Sequence, residues 1–252
     1  KSVEKTILGD FTAWMNSPEQ LNGKVKEVKE VTYWAVEKNG TVEKGNILTK
    51  KEHDSLGWSF DFSLLFDESG MLLRNENLDE NGVAMQGWTF TVDSGKYARA
   101  EFVENDTIRN VAKFKTNTKG EIEEVIMFKP QNDTTIGWYA SSYDENGNRI
   151  RWQWVKANGE KAGYQAFSWD PGNRVTEVKF FSAKDSLTGS WALTYDEKGF
   201  LASQKTLDGK QVVTSDLSMK NSDFDEKGNY LKTVVYKEGK PYLLTVRNYT
   251  YF

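Results

Sequence analysis

The sequence predicts an all-β fold: a repetitive antiparallel β-meander of about fifteen strands, curved or partly closed on itself, with a short helix at its N-terminus. Three observations carry this. A turn phrase recurs along the chain, it recurs at nearly constant spacing, and the segments between copies alternate in polarity or are rich in β-branched and aromatic residues.

The elements follow in order. Val3, Ile7, Phe11 and Trp14 fall at helical spacing, with Leu8 and Met15 alongside, and Ser17-Pro18 ends the run. Residues 1–20 are therefore expected as a helical segment packing on the end of the sheet, and residues 21–252 as one elongated meander domain. Lys24 to Val36 reads as a lysine- and valine-rich strand, closed by a turn at Lys38-Asn39-Gly40. Residues 45–56 are polar and aperiodic and read as a loop. His53 lies there among Lys50, Lys51, Glu52 and Asp54, and reads as a surface histidine.

From residue 57 onward the repeat takes over. An apolar residue, Asp-Glu, any residue and Gly recur as Phe66-Asp67-Glu68-Ser69-Gly70, Leu78-Asp79-Glu80-Asn81-Gly82, Tyr143-Asp144-Glu145-Asn146-Gly147, Tyr195-Asp196-Glu197-Lys198-Gly199 and Phe224-Asp225-Glu226-Lys227-Gly228. Asp93-Ser94-Gly95, Asn117-Thr118-Lys119-Gly120 and Asp170-Pro171-Gly172 are looser copies. The chemistry is that of a tight turn: Asp accepts a hydrogen bond from the amide two residues on, and Gly supplies positive φ. The glycines at 70, 95, 120, 147, 172, 199 and 228 define a repeat of about 26 residues. Weaker turns at half a period, such as Asn158-Gly159 and Asp208-Gly209, divide each repeat into two strands.

A second signature opens the strand before a main turn: Gly57-Trp58, Gly87-Trp88, Gly137-Trp138, Gly163-Tyr164 and Gly189-Ser190-Trp191. Equivalent positions of successive repeats lie two strands apart, so the sheet is expected to carry an aromatic row on one face. Open sheets beyond roughly ten strands curl or close under their own twist, which predicts curvature. An apolar fraction of 38% fits a one-sided core.

The Tyr-Asp-x-x-Gly phrases at Tyr143 and Tyr195, with Phe variants at Phe66 and Phe224, resemble the YD-type repeats of bacterial cell-surface and exported proteins. The lead-in Leu21-Asn22-Gly23-Lys24-Val25-Lys26-Glu27-Val28 is similar to that of uncharacterised exported proteins and lipoproteins of gut-dwelling bacteria. The resemblance covers about residues 57–236 and implies export to the periplasm or cell surface, with any signal peptide or lipid-anchoring Cys upstream of Lys1. The period is longer than in toxin-associated YD repeats and the chain too short to enclose a toxin domain, so encapsulation is not implied.

Composition narrows function. With no Cys and a single His, the chain has no thiolate nucleophile, no disulfide frame and no multi-His metal centre. A net charge of −4 argues against nucleic acid as a partner. No apolar run is long enough for a transmembrane helix. No phosphate loop, dinucleotide fingerprint or nucleophile elbow occurs, so no cofactor is expected. The Asp-Glu pairs sit at turn tips, where turn structure outweighs carboxylate catalysis, and Asp144-Glu145-Asn146-Gly147-Asn148 lacks the ligand spacing of a calcium loop.

The aromatic residues remain. Flat rings on a rigid sheet stack against sugars or partner side chains, but a core role outweighs this, since a meander with few Leu must fill its concave face with something large. Trp138, Trp152, Trp154, Tyr164, Trp169 and Trp191 are the candidate binding residues, with Trp152 and Trp154 on one strand face. The expectation is an exported, non-enzymatic binding or scaffold protein with a protein or glycan ligand. The alternatives are a carboxylate-dependent glycan-active enzyme, for which a buried Glu101, Glu124 or Glu177 beside Trp or Arg would speak, and a purely structural envelope component.

Overall fold

The computed structural model describes residues 5–7 and 20–252. The helix expected over residues 1–20 lies outside the described residues, except that β1 (Lys5–Ile7) pairs with β2 (Gln20–Asn22) as a two-stranded sheet. The remaining strands are β3 (Val25–Lys38), β4 (Thr41–Ile47), β5 (Asp61–Phe66), β6 (Leu72–Leu78) and β7 (Ala84–Asp93). Then come β8 (Lys96–Glu104), β9 (Thr107–Thr116), β10 (Ile122–Phe128), β11 (Thr135–Tyr143), β12 (Arg149–Lys156), β13 (Lys161–Trp169) and β14 (Val175–Phe181). The chain finishes with β15 (Leu187–Tyr195), β16 (Leu201–Asp208), β17 (Val213–Phe224), β18 (Tyr230–Lys237) and β19 (Lys240–Tyr251).

The open or partly closed curved sheet is corrected: the strands form a closed antiparallel barrel. β19 pairs back onto β3 from Leu243↔Trp34 to Tyr251↔Val25, and the amide of Phe252 donates to the carbonyl of Lys24 at 3.1 Å. β3 also pairs with β5 from Glu27↔Leu65 to Glu30↔Phe62, so the ring runs through sixteen strands with β4 as an extra one. The turn repeat encodes each strand's pairing with its neighbour. Closure joins the two ends of the chain, which no local periodicity records. It also removes the exposed edges an open meander would leave.

The turns obey the chemistry of their phrase. Oδ1 of Asp67, Asp79, Asp144, Asp170, Asp196, Asp208 and Asp225 each accepts the amides two and four residues on, at 2.8–3.0 Å. Asn117 does the same for Lys119 and Glu121. Backbone amides hold Asp79 and Asp144 below the usual carboxylate range, and the Arg174 side chain does so for Asp170.

The chain gathers into two compact units. The first holds the described residues of Lys1–Thr89, with Tyr195–Ser203 and Leu217–Phe252; the second holds Phe90–Thr194 and Gln204–Asp216. In the first unit one sheet face buries Val28, Phe62, Leu64, Val235 and Leu243. A transverse row of Thr32, Thr245 and Thr233 lies in register on that face, and Thr233 donates to Asn221 Oδ1 at 2.6 Å. Beside it Arg247 Nε meets Glu30 Oε2 at 2.6 Å.

The loop expected at residues 45–56 is also corrected: it is the end of β4 followed by a helix, α1 (Lys50–Leu56). Thr49 caps the helix reciprocally with Glu52, and Gly57 ends it at φ 61°. Leu48, Val235 and Leu243 form a buried cluster packed by Trp34, Leu56 and Trp58, and Trp34 Nε1 donates to Glu52 Oε1 at 2.9 Å. α1 is thus seated on the face that carries the threonine row.

Candidate functional site

The recurring Gly-aromatic signature places its residues by strand parity. Trp138 on β11 lies opposite Ile126 and Val155, and Tyr164 on β13 lies opposite Gln153 and Phe181. This face of the second unit also carries Lys113, Lys115, Glu124, Glu177 and Lys179. Lys115–Glu124 and Lys179–Glu177 are ion pairs at 3.4 and 2.9 Å. Arg151 sits 3.6 Å over the Tyr164 ring, which stacks on Phe181 at 4.6 Å.

Trp152, Trp154 and Trp191 lie on the opposite face. The six candidates are therefore not brought together. Gly189-Ser190-Trp191 has one residue more than Gly137-Trp138, and in a period-two strand one residue reverses the face. Trp169 follows a register break at the end of β13, and its Nε1 donates to the Arg149 carbonyl at 2.8 Å. All six are half-buried.

The face bearing Trp152 is the distinctive one. Tyr139 stacks on Trp152 at 4.2 Å and 16°, and tilts against Trp154 at 4.6 Å. Phe180 meets Trp191 edge-on at 4.6 Å. These contacts all join neighbouring strands. Gly137 lies beneath the Trp154 indole, where a Cβ would fall 2.6 Å from Cζ2 and 2.4 Å from the Val155 carbonyl oxygen. The glycine of the signature therefore permits the ring to lie flat on the backbone. Burial pushes the Tyr139 phenol up. Between strand ends, the residues in register on this face from β10 to β15 include no Asp, Glu, Lys or Arg. Lys156, at the end of β12, is paired with Glu160 at 3.1 Å.

The residues that would mark carboxylate chemistry are placed otherwise. Glu101 pairs with Arg99 at 2.9 Å, and Glu101, Glu124 and Glu177 are all about one-third exposed in their ion pairs. Among the described residues no cluster of three or more His, Asp or Glu could hold a metal ion. No helix among them is long and apolar enough to cross a membrane.

His53 is corrected from surface to core. It is 2% exposed, and its Nε2 lies 3.5 Å from Oδ1 of Asp61, which is also 2% exposed. Burial holds the imidazole below its usual range, with the backbone of Ser59 and Trp58 pulling the other way. Asp61 Oδ1 accepts the Thr32 amide at 2.8 Å, and the Leu48 amide donates to the Thr32 carbonyl at 2.9 Å. These bonds serve β3 between its pairing with β5 and its pairing with β4. Burial raises the Asp61 carboxyl to about 7, and Glu30 adds to the rise. A carboxyl near 7 beside an imidazole is the kind of pair active sites use, but this one is closed to solvent and occupied with backbone. Thr49-x-x-Glu52 ahead of Leu56-Gly57 was the available signal for the helix that buries His53.

The fold resembles that of a porin-like protein. That protein, from Bacteroides uniformis, shares 7% identity at a TM-score of 0.54, over 90% of this chain and 98% of its own. A porin-like protein from Bacteroides vulgatus aligns at 9% identity and a TM-score of 0.37, over 90% of this chain and 98% of that one. The TcdB2-TccC3 structure aligns at 10% identity and 0.37, over 82% of this chain and 14% of that chain. No family model matches the sequence, and no curated protein does. At such identities the first likeness is one of fold.

Proposed function

We propose that the chain is an exported envelope protein, of the YD-type repeat kind, that binds a protein or glycan ligand without transforming it. Its binding surface is the face of the second unit built on Tyr139, Trp152, Trp154, Phe180 and Trp191. The observation that carries this is the contrast between the two faces of one sheet: ion pairs on one side, aromatic rings without charge on the other. Half-buried rings held by their neighbours lose little freedom when a ligand stacks on them.

Two observations favour binding over the activities that the fold and composition leave open. The Asp carboxylates of the main turns are engaged by backbone amides, Glu101, Glu124 and Glu177 by Arg or Lys, and Asp61 is buried on the Thr32 amide. The sheet of the first unit carries Glu27, Lys29, Arg74 and Glu76 on one face and Glu30 with Arg247 on the other. A bilayer-spanning barrel needs an outward band without such charges.

The test compares wild type with the double variant Trp152→Ala, Trp154→Ala in ligand capture and in a glycan-hydrolase panel. Capture lost by the variant at unchanged secondary structure is the expected result. Turnover of any glycan, abolished by one carboxylate substitution, would replace this function with the enzymatic one.

A further inference from the structure

We propose that the aromatic face takes an extended neutral glycan running across the strands, along a row centred on Trp152, Gln165 and Phe180. This rests on the binding function above and narrows its ligand to one class.

Successive register pairs define the row: Ser141↔Trp152, Trp152↔Gln165, Gln165↔Phe180 and Phe180↔Gly189. Side chains in register share a face, so five neighbouring strands present hydroxyl, indole, amide, phenyl and no side chain in turn. Rings alternate with neutral hydrogen-bonding groups. The two rings stand on β12 and β14, two strand spacings apart, roughly 9.5 Å. That is close to the length of one disaccharide in an extended chain, so ring contacts fall on alternate sugars while the Gln165 amide reaches the hydroxyls between. The Ser141 hydroxyl oxygen is buried, so the Gln165 amide is the polar contact of the row.

Charge selects within the glycans. The row contains no cation, and Lys156 on the same side is held by Glu160. A uronate would leave water with no partner to meet it, whereas a neutral hexose loses only hydroxyl solvation that the Gln165 amide restores. A protein ligand would also use the rings, but nothing in a peptide chain requires ring and amide to alternate at this spacing across strands.

The experiment is affinity electrophoresis of the whole chain through gels containing hydroxyethylcellulose, galactomannan or polygalacturonate. It uses wild type, Gln165→Ala, Phe180→Ala, Trp152→Ala and, on the opposite face, Lys179→Gln, each checked by circular dichroism. Retardation by a neutral polysaccharide is expected to weaken about tenfold in Gln165→Ala and Phe180→Ala and to persist in Lys179→Gln. Polygalacturonate is expected to leave mobility unchanged. Should Trp152→Ala fail to fold, the Gln165 variant alone decides, since it removes no stacked ring. Equal retardation of wild type, Gln165→Ala and Phe180→Ala would overturn the row. Equal retardation by polygalacturonate would overturn the neutral class. No retardation in any gel would overturn glycan as the ligand, while protein capture by wild type and not by the Trp152, Trp154 double variant would still uphold the binding face.

Discussion

Asp61 shows how one side chain makes a strand switch partners at a cost that depends on pH. Its carboxyl caps the Thr32 amide in a site from which water is excluded, and burial has raised it to about 7. A raised carboxyl contributes most below its ordinary value near 4, and that contribution is lost as pH climbs through 7. Asp61→Asn keeps the acceptor and removes the ionisation, so its melting temperature relative to wild type is expected to rise from pH 5 to pH 8. A constant difference across that range would contradict the assignment. The depressed turn carboxylates Asp79, Asp144 and Asp170 act oppositely, since their contribution is lost as pH falls through their folded values. Gly163 makes a separate prediction. A Cβ there would lie 2.4 Å from the Phe181 carbonyl oxygen, so Gly163→Ala should destabilise by about 1–3 kcal/mol in denaturant unfolding.

At the scale of elements, the turns were legible because each is a local contract between one Asp and the amides that follow it. The strands between them were legible for the same reason. Which face a ring occupies was not, because a single extra residue such as Ser190 reverses it, and register breaks such as that between Ser168 and Trp169 are invisible in a spacing count. The row through Trp152 and Gln165 needed the registers of four strand pairs, which composition cannot supply. α1 was legible through its capping box and went unread because its seven residues carry too little apolar periodicity. Thr49→Ala removes the cap and should cost about 1 kcal/mol in thermal unfolding, loosening Trp34 with it, as the tryptophan emission would report.

For the whole molecule, closure was the part the sequence hid. The seam is reinforced on the first unit by Asn229, whose Oδ1 accepts the Asn22 amide at 2.7 Å. Its Nδ2 donates to the Asn22 carbonyl at 2.8 Å and to the Tyr251 hydroxyl at 2.7 Å. Tyr251 in turn donates to Asp225, and burial pushes its phenol well up. Removing residues 241–252 would strip β3 and β18 of their partner and leave two raw edges. The truncated chain is expected to associate into large species in size-exclusion chromatography, where the full chain does not. A truncated chain eluting at the monomer position would show that the seam is dispensable.

The pairing of the last strand with β3 also sets a timetable. Hairpins joined by short turns form within microseconds as the chain emerges, one after another. The ring cannot shut until β19, through Tyr249 and Tyr251, has been made, and the strand it must find precedes it by about two hundred residues. Throughout synthesis, and throughout any passage across a membrane, β3 waits with one side unclaimed. Glu27, Lys29 and Glu30 place charge along that waiting strand, and charge on an unpaired edge disfavours pairing with another copy.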